Sequence, residues 1–185
     1  MAIVRSGSRS VLLVVDVQVD VMKHGWEAPR VIANVAQAVE RARARGVPVL
    51  WVQHESERMP YDSPGWQWVP ELVPAAGEVR LFKKYASSFE ETPLELELGR
   101  LDASHIVLAG AQSNWCIRAT AYGALDRGYD LTLVADAHTT DDIERGDGSV
   151  IAARDIVDDL NLAMTWLAYP GRKTQAVGVD ELAFA

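Results

Sequence analysis

The chain predicts an α/β fold: three layers, α/β/α, built on a mostly parallel, Rossmann-like sheet of about six strands. Three observations carry that expectation. Short, apolar, β-branched runs recur along the 185 residues, amphipathic helical patterns fall between most of them, and no internal repeat or low-complexity linker divides the chain. Strands alternating with helices give a parallel sheet covered on both faces. One domain over residues 1–185 is therefore expected, long enough to bury a core without metal or disulfide staples.

Val11-Leu12-Leu13-Val14-Val15 is a continuous run, as a strand buried on both faces requires. Between Arg30 and Arg45, apolar residues at Val31, Val35, Ala38, Val39 and Ala42 mark one face of a helix that Gly46 stops. Val47 to Val52 is the next strand. Residues 54–77 lack a clean period and hold Pro60, Pro64, Pro70 and Pro74, so they read as a long functional loop with room for one short helix.

Glu78 to Phe82 is a weaker strand. Thr92-Pro93-Leu94-Glu95 combines an N-cap threonine, a proline at the first helical position and a glutamate three residues on, a capping box opening a helix to about Arg100. A strand at Ile106–Ala109, a helix from about Asn114 to Asp126 ended by Gly128, and a strand at Leu131–Ala135 follow. Val150, Ala153, Val157, Leu160, Met164 and Leu167 mark a long helix over 149–167, and a short strand near Thr174–Val179 closes the sheet.

Composition excludes several classes. Acidic residues outnumber basic ones 26 to 18, a formal charge of −8, which disfavours nucleic acid and anionic membranes as partners. The single cysteine forms no internal disulfide, four scattered histidines match no zinc motif, and no G-x-G-x-x-G or P-loop occupies a strand-to-helix turn. The apolar run at Val11–Val15 stops at Asp16, far short of a signal-peptide core or membrane span. The expectation is a cytoplasmic protein with no cofactor and a small-molecule ligand.

Ligands of open parallel sheets bind beyond the carboxyl ends of the strands. Asp16 ends the first strand, Lys83 follows the strand ending at Phe82, and Cys116 sits just past the strand ending at Gly110. A carboxylate, an amine and a thiol on one edge suffice for nucleophilic acyl chemistry. A thiol in the first turn of a helix also faces unpaired N–H groups and the positive end of the dipole, which favours thiolate. The bland readings are a small buried cysteine, a turn aspartate and a solvated Lys83–Lys84 pair.

Three segments resemble the isochorismatase-like cysteine hydrolase superfamily, which includes nicotinamidases and N-carbamoylsarcosine amidases. They are Leu12-Leu13-Val14-Val15-Asp16-Val17-Gln18; Phe82-Lys83-Lys84-Tyr85-Ala86-Ser87-Ser88-Phe89 with Thr92-Pro93-Leu94; and Leu108-Ala109-Gly110-Ala111-Gln112-Ser113-Asn114-Trp115-Cys116-Ile117. The resemblance spans about residues 11–140. It implies that fold, a catalytic triad of Asp16, Lys83 and Cys116, a cis peptide at Ala111-Gln112, and an oxyanion hole formed by the Gln112 and Cys116 amides. Lys83, not Lys84, has the family spacing to Phe89.

The resemblance further implies a cysteine-dependent hydrolase that cleaves an amide, carbamoyl or ureido C–N bond through a thioester, in a homo-oligomer (dimer or tetramer). Gln18, His54 and Trp66 are candidate substrate-binding residues; Trp66 and Trp68 offer flat surfaces for a planar ligand, the alternative for both being that they pack the loop onto the body or form an oligomer contact. The Asp-x-His cluster of metal-containing nicotinamidases is replaced by Val52-Gln53-His54-Glu55-Ser56-Glu57, so no metal is expected. Asn114 is an N-cap or turn-holding residue, and His138 either approaches the site or fixes its loop. Two alternatives remain: an isochorismatase-type vinyl-ether hydrolase that does not need the cysteine, and a silent binding protein of the same fold.

Overall fold

A computed structural model describes residues 2–184. Its main sheet contains β1 (Arg9–Val15), β2 (Val49–His54), β3 (Val79–Lys83), β4 (Ala103–Ala111), β5 (Asp130–Thr139) and an edge strand at Thr174–Val177. A two-stranded hairpin, β6 (Ile143–Glu144) with β7 (Val150–Ile151), intervenes, so the edge strand is β8. The six strands run in the order β3-β2-β1-β4-β5-β8, and every pairing among them is parallel. The chain starts at the centre, steps outward through β2 and β3, then returns beside β1 to build the other half. The reversal between β1 and β4 opens a crevice at their carboxyl ends, the place where such sheets hold ligands.

Alternation along the strands divides the core in two. Val11, Leu13 and Val15 face one side with Leu94 and Leu98 of α3 (Leu94–Arg100), Ala121 and Leu125 of α4 (Arg118–Asp126), and Leu160 and Met164 of α5 (Ala153–Trp166). Leu12 and Val14 face the other side, against Val31, Val35, Ala38 and Ala42 of α2 (Ala28–Ala44). Both faces are apolar because both are covered, which is why β1 reads as an unbroken hydrophobic run.

Several boundaries depart from expectation. The α5 helix begins at Ala153, not 149, because the Ala153 N–H donates to Asp142 Oδ1 at 2.7 Å; Val150 instead pairs with Glu144 in the hairpin. Thr92 accepts the Leu94 N–H at 3.2 Å, but Glu95 does not close the box: it contacts Arg5 and Tyr129. Residues 55–78 form no helix, their prolines leaving only isolated bridges such as Gln18–Trp68. A four-residue helix, α1 (Val19–Met22), follows β1 and escaped the periodicity.

Gly110 sets how closely β4 approaches β1. Its φ is +127°, and a Cβ there would lie 1.9 Å from the Val15 carbonyl oxygen. The β4–β5 register also jumps here, from Leu108 opposite Leu133 to Gly110 opposite His138. The slack residues of β5 form a bulge beside the crevice, a common device for re-aiming a strand end.

Candidate functional site

Three strand ends deliver three side chains to one point. Asp16 leaves β1 in a left-handed conformation (φ +54°), which aspartate tolerates better than most residues. Lys83 is the last residue of β3 and extends across β2. Cys116 follows β4 on a π-type turn, Ser113–Ile117, in which the Ile117 N–H reaches back to the Gln112 carbonyl at 3.1 Å. The Lys83 ammonium donates to Asp16 Oδ2 at 2.7 Å, Cys116 Sγ at 3.1 Å and the Tyr85 carbonyl at 3.2 Å. It also lies 3.3 Å from His54 Nδ1. The Ala111–Gln112 peptide is cis.

The electrostatics correct one expectation. Cys116 lies in the π-type turn ahead of α4, and its thiol is pushed up to about 12, first by burial and then by the Asp16 charge, against the pull of Lys83. Burial and the Asp16 charge thus favour the thiol, against the thiolate-favouring effect expected of a helix start. Lys83 is raised despite burial, because Asp16 and Cys116 favour its charged form. His54 is lowered, chiefly by burial and then by Lys83, so its ring is neutral near pH 7. Since lysine can only donate, His54 Nδ1 accepts, and the ring proton sits on Nε2.

A pocket of about 270 Å³ opens onto this cluster. Asp16, His54 and Cys116 supply its polar end; Val21, Ala86 and Trp115 supply apolar wall, and Gln112 lies beside them. Among the substrate-binding candidates, His54 and Gln112 thus reach the pocket. Gln18 does not: its Nε2 donates to the His54 and Trp66 carbonyls, and its Oε1 accepts the His54 N–H. Trp66 is buried against Tyr61 and Phe82 and is not among the pocket's lining residues; Trp68 packs edge-on to Trp51. Both tryptophans fasten the 55–78 loop to the body.

Sequence reasoning passed over Trp115, Val21 and Ala86. Trp115 keeps 61% of its surface exposed while lining the pocket. Its position next to the cysteine was the available signal. Asn114 accepts the Thr140 hydroxyl at 2.5 Å and so holds the turn. His138 is buried behind that turn, bonded to Ser113 Oγ at 2.8 Å and Asn161 Oδ1 at 3.0 Å, and burial pushes it down to about 4. It fixes the turn and does not enter the pocket.

Asp16, His54 and Cys116 each offer one ligand atom, all within 4.8 Å of one another, the one such metal-capable group among the described residues. A divalent ion there would compete with a fixed ammonium that already contacts all three side chains. The donor set suits a lysine-centred cluster better than a metal.

Fold and crevice together define a doubly wound α/β protein with a pocket at its topological switch point. Residues 10–158 match the isochorismatase domain family, and the chain belongs to that family, within the isochorismatase-like cysteine hydrolase superfamily. It is 35% identical over 144 residues to a streptothricin hydrolase of Streptomyces noursei, covering 74% of this chain and 57% of that protein. A maleamate amidohydrolase of Pseudomonas putida is 32% identical over 165 residues, 72% of this chain and 77% of that one. The crystal structure of an isochorismatase from Pseudomonas putida KT2440 matches with a TM-score of 0.84 at 27% identity, covering 94% of this chain and 90% of that chain. The chain thus spans little more than half the length of the streptothricin hydrolase it matches.

Proposed function

We propose that the protein is a cysteine-dependent hydrolase that cleaves the C–N bond of a small amide, carbamoyl or ureido compound through a thioester. The observation that carries the reading is the Lys83 ammonium, seated between Asp16 Oδ2 at 2.7 Å and Cys116 Sγ at 3.1 Å beside a pocket of about 270 Å³. The relatives named for hydrolysis of streptothricin and maleamate support it. No metal or other cofactor takes part in the reading. A cytoplasmic homo-oligomer, dimer or tetramer, of single-domain subunits belongs to the same proposal.

In this mechanism Asp16 accepts the Cys116 proton as sulfur attacks the carbonyl carbon. The high thiol pKa does not forbid the transfer, because a charge moves within the cluster and none is created. Before transfer the lysine pairs with carboxylate; afterwards it pairs with thiolate. The Gln112 and Cys116 amides hold the developing oxyanion, each donor contributing about 3 kcal/mol. Asp16 then gives its proton to the departing nitrogen, the C–N bond breaks, and a thioester remains. Water attacks the thioester as Asp16 takes its proton, the acid leaves, and the thiol is restored.

Ammonia release from a panel of primary amides and carbamoyl compounds, with a chelator present, tests the reading. Cys116→Ala should lose turnover while keeping its thermal transition. Retained activity in that variant would favour the isochorismatase-type reaction without the cysteine. Loss of activity on chelation would overturn the metal-free reaction, and an inactive wild type would leave the silent binding protein.

A further inference from the structure

The pocket's inventory of charge points to a narrower substrate class. Its lining contains one anionic side chain, Asp16, and among the described residues no lysine or arginine. The nearby ammonium, Lys83, has three N–H groups and already faces Asp16, Cys116, the Tyr85 carbonyl and His54. It has none to spare for a ligand. The Asp141 carboxylate stands just behind the pocket, accepting the Gln112 side-chain N–H at 3.1 Å, with its other oxygen buried and unpartnered. An acyl group carrying its own carboxylate would enter a pocket whose nearby ammonium is already committed to Asp16, with the Asp141 carboxylate close behind and no free cation among the lining residues. Burying a charge without a partner is strongly unfavourable.

The remaining wall is apolar. Val21 and Ala86 present small aliphatic surfaces, and the Trp115 indole, 61% exposed, lines the pocket one residue before the nucleophile. A flat, uncharged ligand can stack there, and the neutral His54 has its Nε2–H available to donate.

Resting on the hydrolase reading above, we infer that the substrate's acyl group is uncharged and planar, recognised by Trp115, and that the pocket rejects acyl groups bearing a carboxylate. Trp115 is thus a specificity-determining residue.

Maleamide and maleamate form a matched pair, identical in skeleton but for an amide exchanged for a carboxylate. The expected kcat/KM ratio favours maleamide by on the order of 100-fold. Ala86 is exposed, so Ala86→Arg is tolerable and should narrow the ratio by supplying the missing cation. Trp115→Ala should lower kcat/KM for benzamide about tenfold while changing acetamide little. Equal turnover of the pair by the wild type, or equal losses on benzamide and acetamide in Trp115→Ala, overturns the inference. Calorimetric binding of both compounds to Cys116→Ala separates the two claims. Binding of maleamide alone, with no wild-type turnover of any amide, would sink the hydrolase reading and keep the pocket's selectivity. Tight binding of maleamate would sink the selectivity whatever the chemistry.

Discussion

Replacing Lys83 with methionine removes the cation from a pair whose side chains are 0% and 2% exposed. At 2.7 Å and an effective dielectric near 20, the lost attraction is about 6 kcal/mol, partly offset because methionine escapes the lysine's desolvation. Removing one partner of such a pair destabilises by about 3–5 kcal/mol, since the other charge stays buried. Asp16 has no substitute: its Oδ1 lacks any partner. For a chain of this size the loss is roughly 6–20 °C in Tm. Asp16→Asn combined with Lys83→Met should recover part of it, because no charge then remains. Turnover should fall on the order of 10⁴-fold, as when one member of a catalytic unit is deleted. Because the Lys83 pKa is raised above its ordinary 10.5, its stabilisation is complete at neutral pH and is lost only as pH climbs through the elevated value. The Tm gap between wild type and Lys83→Met should therefore persist at pH 7–9. A gap under about 2 °C across that range would refute the claim that Lys83 and Asp16 form a buried, mutually dependent pair.

Three further outcomes follow from features outside that pair. His105 and His138 are each held down to about 4, so the stability they contribute is present above about pH 6.5 and lost as pH falls toward 4; thermal melts should decline over that window, less steeply in His138→Gln. With its thiol pushed up to about 12, ligand-free Cys116 should react with iodoacetamide at pH 7.5 more slowly than a free cysteine, and intact mass against time will reveal fast labelling if the thiol is already ionised. Gly110→Ala should cost more than about 4 kcal/mol, read as lost soluble expression or a collapsed melt, because the added methyl meets the Val15 carbonyl at 1.9 Å.

The strands were legible because β-branched runs buried on both faces leave no competing period. The mutual approach of Asp16, Lys83 and Cys116 was legible for a related reason: parallel connections return every strand end to one edge. What stayed hidden depended on partners remote in sequence. The start of α5 is chosen by Asp142, eleven residues upstream, and the bulge in β5 by contact with Gly110. The roles of the tryptophans were decided in the same way. Trp66 lies in a loop, where exposure is the usual expectation, yet it is drawn into an aromatic cluster; Trp115 follows a buried strand and stays open to solvent. The depth of the thiol's burial likewise depends on neighbours that local helix chemistry does not reveal.

The order of the strands explains why the basic member of the trio is a lysine. Adjacent strands in a sheet lie about 4.8 Å apart, so neighbouring β1 and β4 bring acid and sulfur together with short side chains alone. The donor of the ammonium stands two strands from Asp16, with β2 between them, and must bridge nearly 10 Å at the backbone. A four-carbon tether crosses that gap; a stubbier cation such as histidine or a truncated amine would strand its charge over β2. Reach, as much as basicity, selects the residue at position 83.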